Sequence, residues 1–151
     1  LFSAACQVGS ISANGSEAEI NAMKSFGTNF GMTFQLVDDA IDYSSNKKLL
    51  GKNTGDDFKE GKITLPIILA YGRCNEKEKL FWKRTISELN QENGDFENAL
   101  ELINKYQCIE DTITRANHFS NVAIDSIDTF NNNIFKEKLV SIVSKSISRI
   151  Y

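Results

Sequence analysis

The chain has 151 residues, of which 41% are hydrophobic and 25% are charged, and its formal net charge is −3. This length and composition are typical of a globular chain with one hydrophobic core and argue against disorder. With 17 basic and 20 acidic side chains, there is no basic excess to neutralise a run of phosphates, so nucleic acid is not predicted as a partner. The longest apolar stretch, residues 65–71, is far shorter than the roughly 20 residues that span a bilayer, so no transmembrane segment is predicted.

The cysteine content indicates a reducing compartment. Cys6, Cys74 and Cys108 are odd in number and widely spaced, which fits neither a disulfide framework nor a zinc site. We therefore predict a cytoplasmic protein. The sequence begins at Leu1 and lacks the pattern of a signal peptide, and we expect that an upstream part of the protein precedes it.

The first long helix is predicted from a capping box. Ser16 and Glu19 have the spacing of such a box, and apolar residues then recur at three- and four-residue steps as far as Ile41. Gly27 and Gly31 are four residues apart on one face of this helix, which allows a neighbouring helix to approach closely.

A long loop is predicted next, followed by helices to the end of the chain. Residues 44–62 contain three glycines and no apolar period, and long loops in compact domains are usually functional. Thr64 is the predicted N-cap of the next helix, with Pro66 in its first turn. Residues 95–151 contain neither Gly nor Pro and have helical periodicity, with Asp95 as the predicted N-cap. No alternating strand pattern occurs, so the predicted fold class is all-α.

Acidic residues concentrate at the end of the first long helix. At 100° per residue, Asp38, Asp39 and Asp42 share one arc of the helix with Gln35. Like charges this close repel one another unless a cation joins them, and carboxylate oxygens are ligands that Mg²⁺ prefers. Because Mg²⁺ usually completes its shell with water and substrate phosphate, this pattern predicts a Mg²⁺ site for a phosphate-bearing substrate.

Lysines follow the acidic residues within the predicted loop. The ammonium groups of Lys52, Lys59 and Lys62 and the backbone N–H groups of the glycine-rich segment are suited to hold a diphosphate. The alternative interpretation is a solvated acidic helix face with no ligand. The only histidine, His118, lies in a polar helical stretch and is predicted to be a surface residue, while Trp82 is predicted to pack in a core.

These motifs, in this order, resemble the second aspartate-rich motif and the following loop of the trans-polyprenyl diphosphate synthases, most of all the bacterial octaprenyl or long-chain type. The residues that carry the resemblance are Phe34-Gln35-x-x-Asp38-Asp39-x-x-Asp42, Leu50-Gly51-Lys52 and Gly55-Asp56-Asp57-x-x-Glu60-Gly61-Lys62-x-Thr64-Leu65-Pro66. The resemblance implies the all-α isoprenoid (terpenoid) synthase fold. It also implies that residues 1–151 are the carboxyl-terminal part, the C-terminal helices only, of a single domain.

The resemblance further implies a magnesium-dependent condensation of isopentenyl diphosphate with an allylic diphosphate. In that reaction Asp38, Asp39 and Asp42 would hold Mg²⁺, directly or through water, and the metal would help the allylic diphosphate to leave. Gln35 would flank the bound diphosphate, and Lys52 would contact its oxygens. Asp38, Lys52 and Gln35 are thus the predicted catalytic residues, with Asp39 also near the substrate.

Further roles follow from the same resemblance. Lys62 would bind the leaving phosphate and Phe34 would line the cavity for the growing chain. Gly55, Asp56 and Asp57 would form a lid, in which the two aspartates order the loop or bond to the lysines. The product would be a polyprenyl diphosphate for a quinone side chain. We also expect a homodimer, to which the glycine-bearing helix face or the preceding helix, residues 1–13, contributes.

The chain also departs from the family pattern. The first aspartate-rich motif, the N-terminal segment that binds isopentenyl diphosphate and a Lys-Thr pair are not within these residues. We therefore predict that this chain is inactive by itself. One alternative is a non-catalytic helical subunit of a heteromeric prenyl synthase, although such subunits tend to lose the acidic motif. A second is a class I terpene cyclase, but the further metal motif of that class does not follow the aspartates.

Overall fold

The computed structural model describes residues 1–44 and 55–149, and these ranges are helical without any strand. The predicted all-α class is therefore confirmed. The α-helices of the described ranges are α1 Phe2–Ser12, α2 Glu17–Asp42, α3 Asp56–Lys59, α4 Leu65–Arg73, α5 Glu76–Trp82, α6 Asp95–Lys105, α7 Cys108–Ser126 and α8 Ile134–Ser148. A π-helical turn, Lys83–Ser87, continues α5. None of these helices combines the length and apolar character that crossing a membrane requires.

The chain divides into two compact units. The first consists of Leu1–Val37 and Thr114–Tyr151, and the second of Asp38–Ile113. Each unit has a core of its own. In the first, Phe26, Phe30, Ala123, Ile127 and Val143 are buried together.

Helix α1 lies directly against the glycine face of α2 in the first unit. A Cβ atom built on Gly27 would lie 2.6 Å from the backbone oxygen of Phe2, and one built on Gly31 would lie 3.3 Å from the Phe2 side chain. The predicted close helix neighbour is thus confirmed, and it is α1. Helix α1 therefore occupies the space beside Gly27 and Gly31, and the expected homodimer stays a prediction.

The second unit is built on aromatic and aliphatic side chains from its several short helices. Trp82 is buried, as predicted, and shares its core with Tyr43, Phe58, Ile67 and Ile103. Phe58 also contacts Phe96, with ring centroids 5.7 Å apart. This core anchors residues 55–64, which follow the acidic end of α2.

Of the helix starts described here, the predicted capping box is confirmed and the predicted N-cap at Asp95 is wrong. The capping box is present, because the backbone N–H of Ser16 donates to the Glu19 carboxylate at 2.7 Å and the N–H of Glu19 donates to the Ser16 hydroxyl at 3.4 Å. Asp95, however, is the first residue of α6, and the N-cap is Gly94. The Asp95 carboxylate is bound instead by the Arg84 guanidinium, at 2.9 and 2.7 Å, so a tertiary ion pair replaces the local cap.

The predicted loop over residues 44–62 contains a helical turn in its described part. Helix α3 occupies Asp56–Lys59 because Phe58 is buried and anchors the segment to the second core. The Gln91 side-chain amide donates to the backbone oxygens of Phe58 and Thr85, at 2.7 and 2.9 Å. Residues 45–54 lie outside the described ranges.

Gly61 ends this turn in a conformation that disfavours other residues. Its φ is +66°, and an added Cβ would lie 2.9 Å from the backbone oxygen of Ile86 and 2.4 Å from the Leu89 side chain. Only glycine allows this close approach of the backbone to Ile86. Because Lys62 is the next residue, the approach also sets the position of the Lys62 backbone.

A carboxylate also joins the helices of the second unit. Glu78 accepts hydrogen bonds from Lys105 Nζ at 2.7 Å, from the Tyr106 hydroxyl at 2.8 Å and from the backbone N–H of Asn75 at 2.9 Å. The Arg73 guanidinium donates to the backbone oxygen of Tyr106 at 2.6 Å. Hydrogen bonds from Lys105, Asn75 and Tyr106 lower the pKa of Glu78 to about 2.

We predict that Gly61→Ala destabilises the protein by roughly 2 to 4 kcal/mol, because it adds left-handed backbone strain to a clash with a carbonyl group. Gly94→Ala is the matched control, since Gly94 also has a positive φ, +90°, but nothing lies within 4 Å of its added Cβ. The control should lose only about 1 to 2 kcal/mol. Denaturant unfolding of both variants tests this, and equal losses would contradict the role assigned to the Ile86 contact.

We predict that Glu78 stabilises the folded state above the pKa of the unfolded chain, about 4.5, and that this stabilisation is lost as the pH falls towards about 2. The stabilisation lies on the high-pH side because the pKa of Glu78 is lower in the folded state than in the unfolded chain. In Glu78→Gln this component should vanish, so its stability should fall less steeply than that of the wild type over this range. Unfolding of both proteins at a series of pH values measures it. Glu97→Gln, at an exposed position of α6, controls for the loss of a charge; parallel curves for wild type and Glu78→Gln would refute the prediction.

Candidate functional site

The acidic cluster lies at the carboxyl end of a helix, where negative charge is unfavourable. Helix α2 ends at Asp42 and has no basic residue in its last turn. The partial negative charge at a helix C-terminus disfavours carboxylates there by about 0.3–1 kcal/mol each. Asp38, Asp39 and Asp42 therefore break a local rule together, and such exceptions are expected at functional sites.

The three aspartates differ in their surroundings. Asp38 and Asp42 are half-buried, whereas Asp39 is buried. Within residues 1–44 and 55–149, no three His, Cys, Asp or Glu side chains come together as a ready ligand set for a metal ion. The assignment of these aspartates to Mg²⁺ remains a prediction.

Residues 55–57 bind the end of α2 through two hydrogen bonds. The backbone N–H of Gly55 donates to the backbone oxygen of Asp42 at 3.2 Å, and the N–H of Asp57 donates to Oδ2 of the Asp42 side chain at 3.1 Å. Two of the three predicted lid residues are thus placed directly against the acidic cluster. The third, Asp56, pairs with Lys59 at 3.3 Å on the exposed side of the turn.

Lys62 contacts the carboxylate of Asp57, so that Asp42, Asp57 and Lys62 form one hydrogen-bonded array. Its Nζ lies 3.0 Å from Oδ1 of Asp57 and 2.8 Å from Oε2 of Glu60. Hydrogen bonds to Glu60 and Asp57 raise the pKa of Lys62, which holds its positive charge. Asp57 therefore connects Asp42 to Lys62, since its backbone N–H binds one and its carboxylate binds the other.

The predicted partner lysine cannot be placed in this array. Lys52, with the rest of the Leu50-Gly51-Lys52 motif, lies outside the described residues. Its predicted roles in catalysis and in substrate binding stay predictions.

Phe34 and Gln35 belong to the first unit, on the same helix as the aspartates. Phe34 is half-buried, with its ring centroid 5.4 Å from that of Phe2. The Arg149 guanidinium carbon lies 5.1 Å from the centre of the Phe34 ring. Gln35 is exposed. Sequence reasoning missed Arg149, because nothing in a sequence pattern links residues so far apart.

Two other residues beside the acidic array were also missed. Tyr43 directly follows Asp42, and Thr64 follows Lys62 by two residues; both side chains are buried. Their hydroxyl oxygens make no hydrogen bond within the part of the chain that the structure describes. The available signal was a tyrosine immediately after the acidic motif, at a helix end where the sequence changes to polar residues.

The chain matches the polyprenyl synthetase family model over residues 1–103. It is 33% identical to the octaprenyl diphosphate synthase of Haemophilus influenzae, an alignment that covers all of this chain and 46% of that protein. The chain therefore spans about half the length of the curated relatives it matches.

Solved structures agree with this match. A decaprenyl diphosphate synthase from Rhodobacter capsulatus superposes with a TM-score of 0.91 at 35% identity, over 99% of this chain and 46% of the other. A polyprenyl synthase from Caulobacter crescentus, complexed with calcium and isoprenyl diphosphate, has a TM-score of 0.89 at 38% identity, over 99% and 46%. The fold is therefore the terpenoid synthase fold of these enzymes, and the chain belongs to the polyprenyl synthetase family.

Proposed function

We propose that the protein carrying this chain is a polyprenyl diphosphate synthase, which condenses isopentenyl diphosphate with an allylic diphosphate. In this reaction the C–O bond between the allylic carbon and its diphosphate breaks, a C–C bond to isopentenyl diphosphate forms, and a proton is lost. The observation that carries the proposal is the hydrogen-bonded series Asp42–Asp57–Lys62, which links acidic groups suited to a metal with a cation suited to phosphate.

The donor chemistry at the end of α2 fits Mg²⁺. Asp38 and Asp42 offer half-buried carboxylate oxygens, and their place at a helix C-terminus favours a neighbouring cation. Asp39, which is buried, would act through water. When bound, Mg²⁺ would neutralise the charge that develops on the departing diphosphate. One or two carboxylates are sufficient for such a site, because phosphate oxygens and water complete the shell.

The Lys62 ammonium group would bind the phosphate oxygens of the leaving group. It carries a full charge and is exposed, so a diphosphate can reach it. Asp57 and Glu60 hold this ammonium, and a diphosphate would compete with them for it. A cation placed where negative charge grows stabilises the transition state more than the ground state. Lys52 and Gln35 would contact the same diphosphate, and Phe34 would border the hydrocarbon chain.

The relatives support divalent cation use, while their names include both short-chain and octaprenyl diphosphate synthases. The Haemophilus influenzae relative is an octaprenyl diphosphate synthase, and the Caulobacter crescentus structure contains calcium and isoprenyl diphosphate. The cysteines Cys6, Cys74 and Cys108 are free thiols, which supports a cytoplasmic location in our proposal. We also keep a homodimer as part of the proposal, with helix α1 as a candidate contact because none of its residues is buried.

We expect the native protein that carries this chain to bind a non-hydrolysable allylic diphosphate analogue only when Mg²⁺ is present. Asp38→Asn should weaken this binding at least about tenfold, which is about 1.4 kcal/mol, because a carboxylate ligand is lost. Isothermal titration calorimetry with and without Mg²⁺ measures both effects.

Asp125→Asn is the matched control for that experiment, since Asp125 is an exposed aspartate on α7. It should bind as the wild type does. Binding that is independent of Mg²⁺ and of Asp38 would contradict the metal assignment. Folded wild-type protein that fails to bind would favour the non-catalytic helical subunit instead.

A further inference from the structure

The Lys62 ammonium group is bound by two carboxylates that differ in their exposure. Its Nζ lies 3.0 Å from Oδ1 of Asp57 and 2.8 Å from Oε2 of Glu60. The Asp57 side chain is 18% exposed, whereas the Glu60 side chain is 61% exposed. Hydrogen bonds to Glu60 and then to Asp57 raise the pKa of Lys62, so both carboxylates act on its charge. The lysine therefore has one largely covered counter-ion and one exposed counter-ion.

The two carboxylates also differ in how firmly they are held. The backbone N–H of Asp57 donates to Oδ2 of Asp42 at 3.1 Å, and the next residue, Phe58, is buried in the second core. The Asp57 carboxylate is thus directed towards Lys62 by an anchored helical turn. Glu60 has a longer side chain that is mostly exposed, so its carboxylate can turn into water at little cost.

The backbone that carries Glu60 and Lys62 is fixed by helix α3. The N–H of Glu60 donates to the backbone oxygen of Asp56 at 3.0 Å, and the N–H of Lys62 donates to the backbone oxygen of Asp57 at 2.9 Å. Gly61, between them, ends the turn with a φ of +66°. An anion that takes Lys62 from one of its counter-ions therefore needs only a side-chain rotation, and the backbone can stay in place.

The charges around Nζ of Lys62 oppose the approach of an anion. Lys62 carries one positive charge and its two counter-ions carry one negative charge each, so the group as a whole is negative. A diphosphate is attracted to this lysine only when a carboxylate withdraws. Glu60 is the one that can withdraw, because an exposed ion pair contributes little to stability. Withdrawal from Asp57 would instead leave a largely covered carboxylate without its cation.

We propose that Glu60 is an internal competitor of diphosphate, whose carboxylate holds Lys62 when no diphosphate is bound, leaves it when diphosphate binds and returns as diphosphate is released. Asp57 keeps its bond to Lys62 in both states and directs the ammonium group. The Glu60 contact thereby lowers the affinity for inorganic diphosphate, the leaving group of the condensation, and so assists its release. The proposal rests on the proposed function and deepens it, because it names the residue that regulates the phosphate-binding lysine.

The test measures the Kd of the native protein for inorganic diphosphate in the presence of Mg²⁺ by isothermal titration calorimetry. Glu60→Gln removes the competing charge and keeps the length of the side chain. Its Kd should be about three- to fivefold lower than that of the wild type, which is the range that an exposed ion pair supplies. Glu76→Gln is the matched control, because Glu76 is exposed and pairs with Lys79 at 2.7 Å in the same unit. It should have the Kd of the wild type.

Two further variants separate direct competition from general repulsion between charges. In a Lys62→Met background, Glu60→Gln should leave the Kd unchanged, because the ammonium group for which it competes is absent. Asp57→Asn should raise the Kd, since Lys62 loses the carboxylate that directs it. The two acidic residues therefore have opposite expected effects, whereas general repulsion predicts a lower Kd for both variants.

The possible failures are distinguishable. If wild-type protein binds magnesium diphosphate and Glu60→Gln leaves the Kd unchanged, the competitor role is overturned while the proposed function stands. A lower Kd that persists in the Lys62→Met background, or that Asp57→Asn shares, shows general repulsion and also overturns it. If folded wild-type protein does not bind magnesium diphosphate, the proposed function fails and the competitor role fails with it.

Discussion

The described part of the candidate site depends on the placement of one residue, Asp57. Its backbone N–H binds the Asp42 carboxylate, and its own carboxylate binds Lys62. A short helix anchored by buried Phe58 holds Asp57 in place, and Gln91 binds the backbone oxygen of Phe58. The buried Phe58 ring and the Gln91 hydrogen bond together fix the position of this short segment, and with it the position of Asp57.

Several features of this region are unfavourable in local terms. Carboxylates end a helix without a basic neighbour, Gly61 adopts a left-handed conformation, and the hydroxyls of Tyr43 and Thr64 are buried without partners. Elsewhere in the second unit, several charged groups are satisfied, although the buried indole N–H of Trp82 also has no hydrogen-bond partner among the described residues. Glu78 has three hydrogen-bond donors, and the Arg84–Asp95 pair is joined by two bonds. Locally unfavourable groups beside one acidic cluster are typical of functional sites.

The sequence predicted the regular parts of the fold because their signals are local. The capping box at Ser16 and the apolar period that follows it define α2. Gly27 and Gly31 indicated a close helix neighbour, and α1 is that neighbour. Local signals were insufficient where distant groups compete for the same atoms. Asp95 binds Arg84 instead of capping α6, and buried Phe58 turns part of a predicted loop into α3.

By itself, the sequence determined the all-α class, the family resemblance and the order of acidic and basic residues. Each of these depends only on residue types and on their spacing along the chain. The tertiary structure alone decided that Asp57 joins Asp42 to Lys62 and that Glu60 shares this lysine. It also decided that Arg149 lies over Phe34 and that Tyr43 and Thr64 are buried without partners. These contacts join residues that are distant in the chain or depend on burial, and the packing of whole helices sets both.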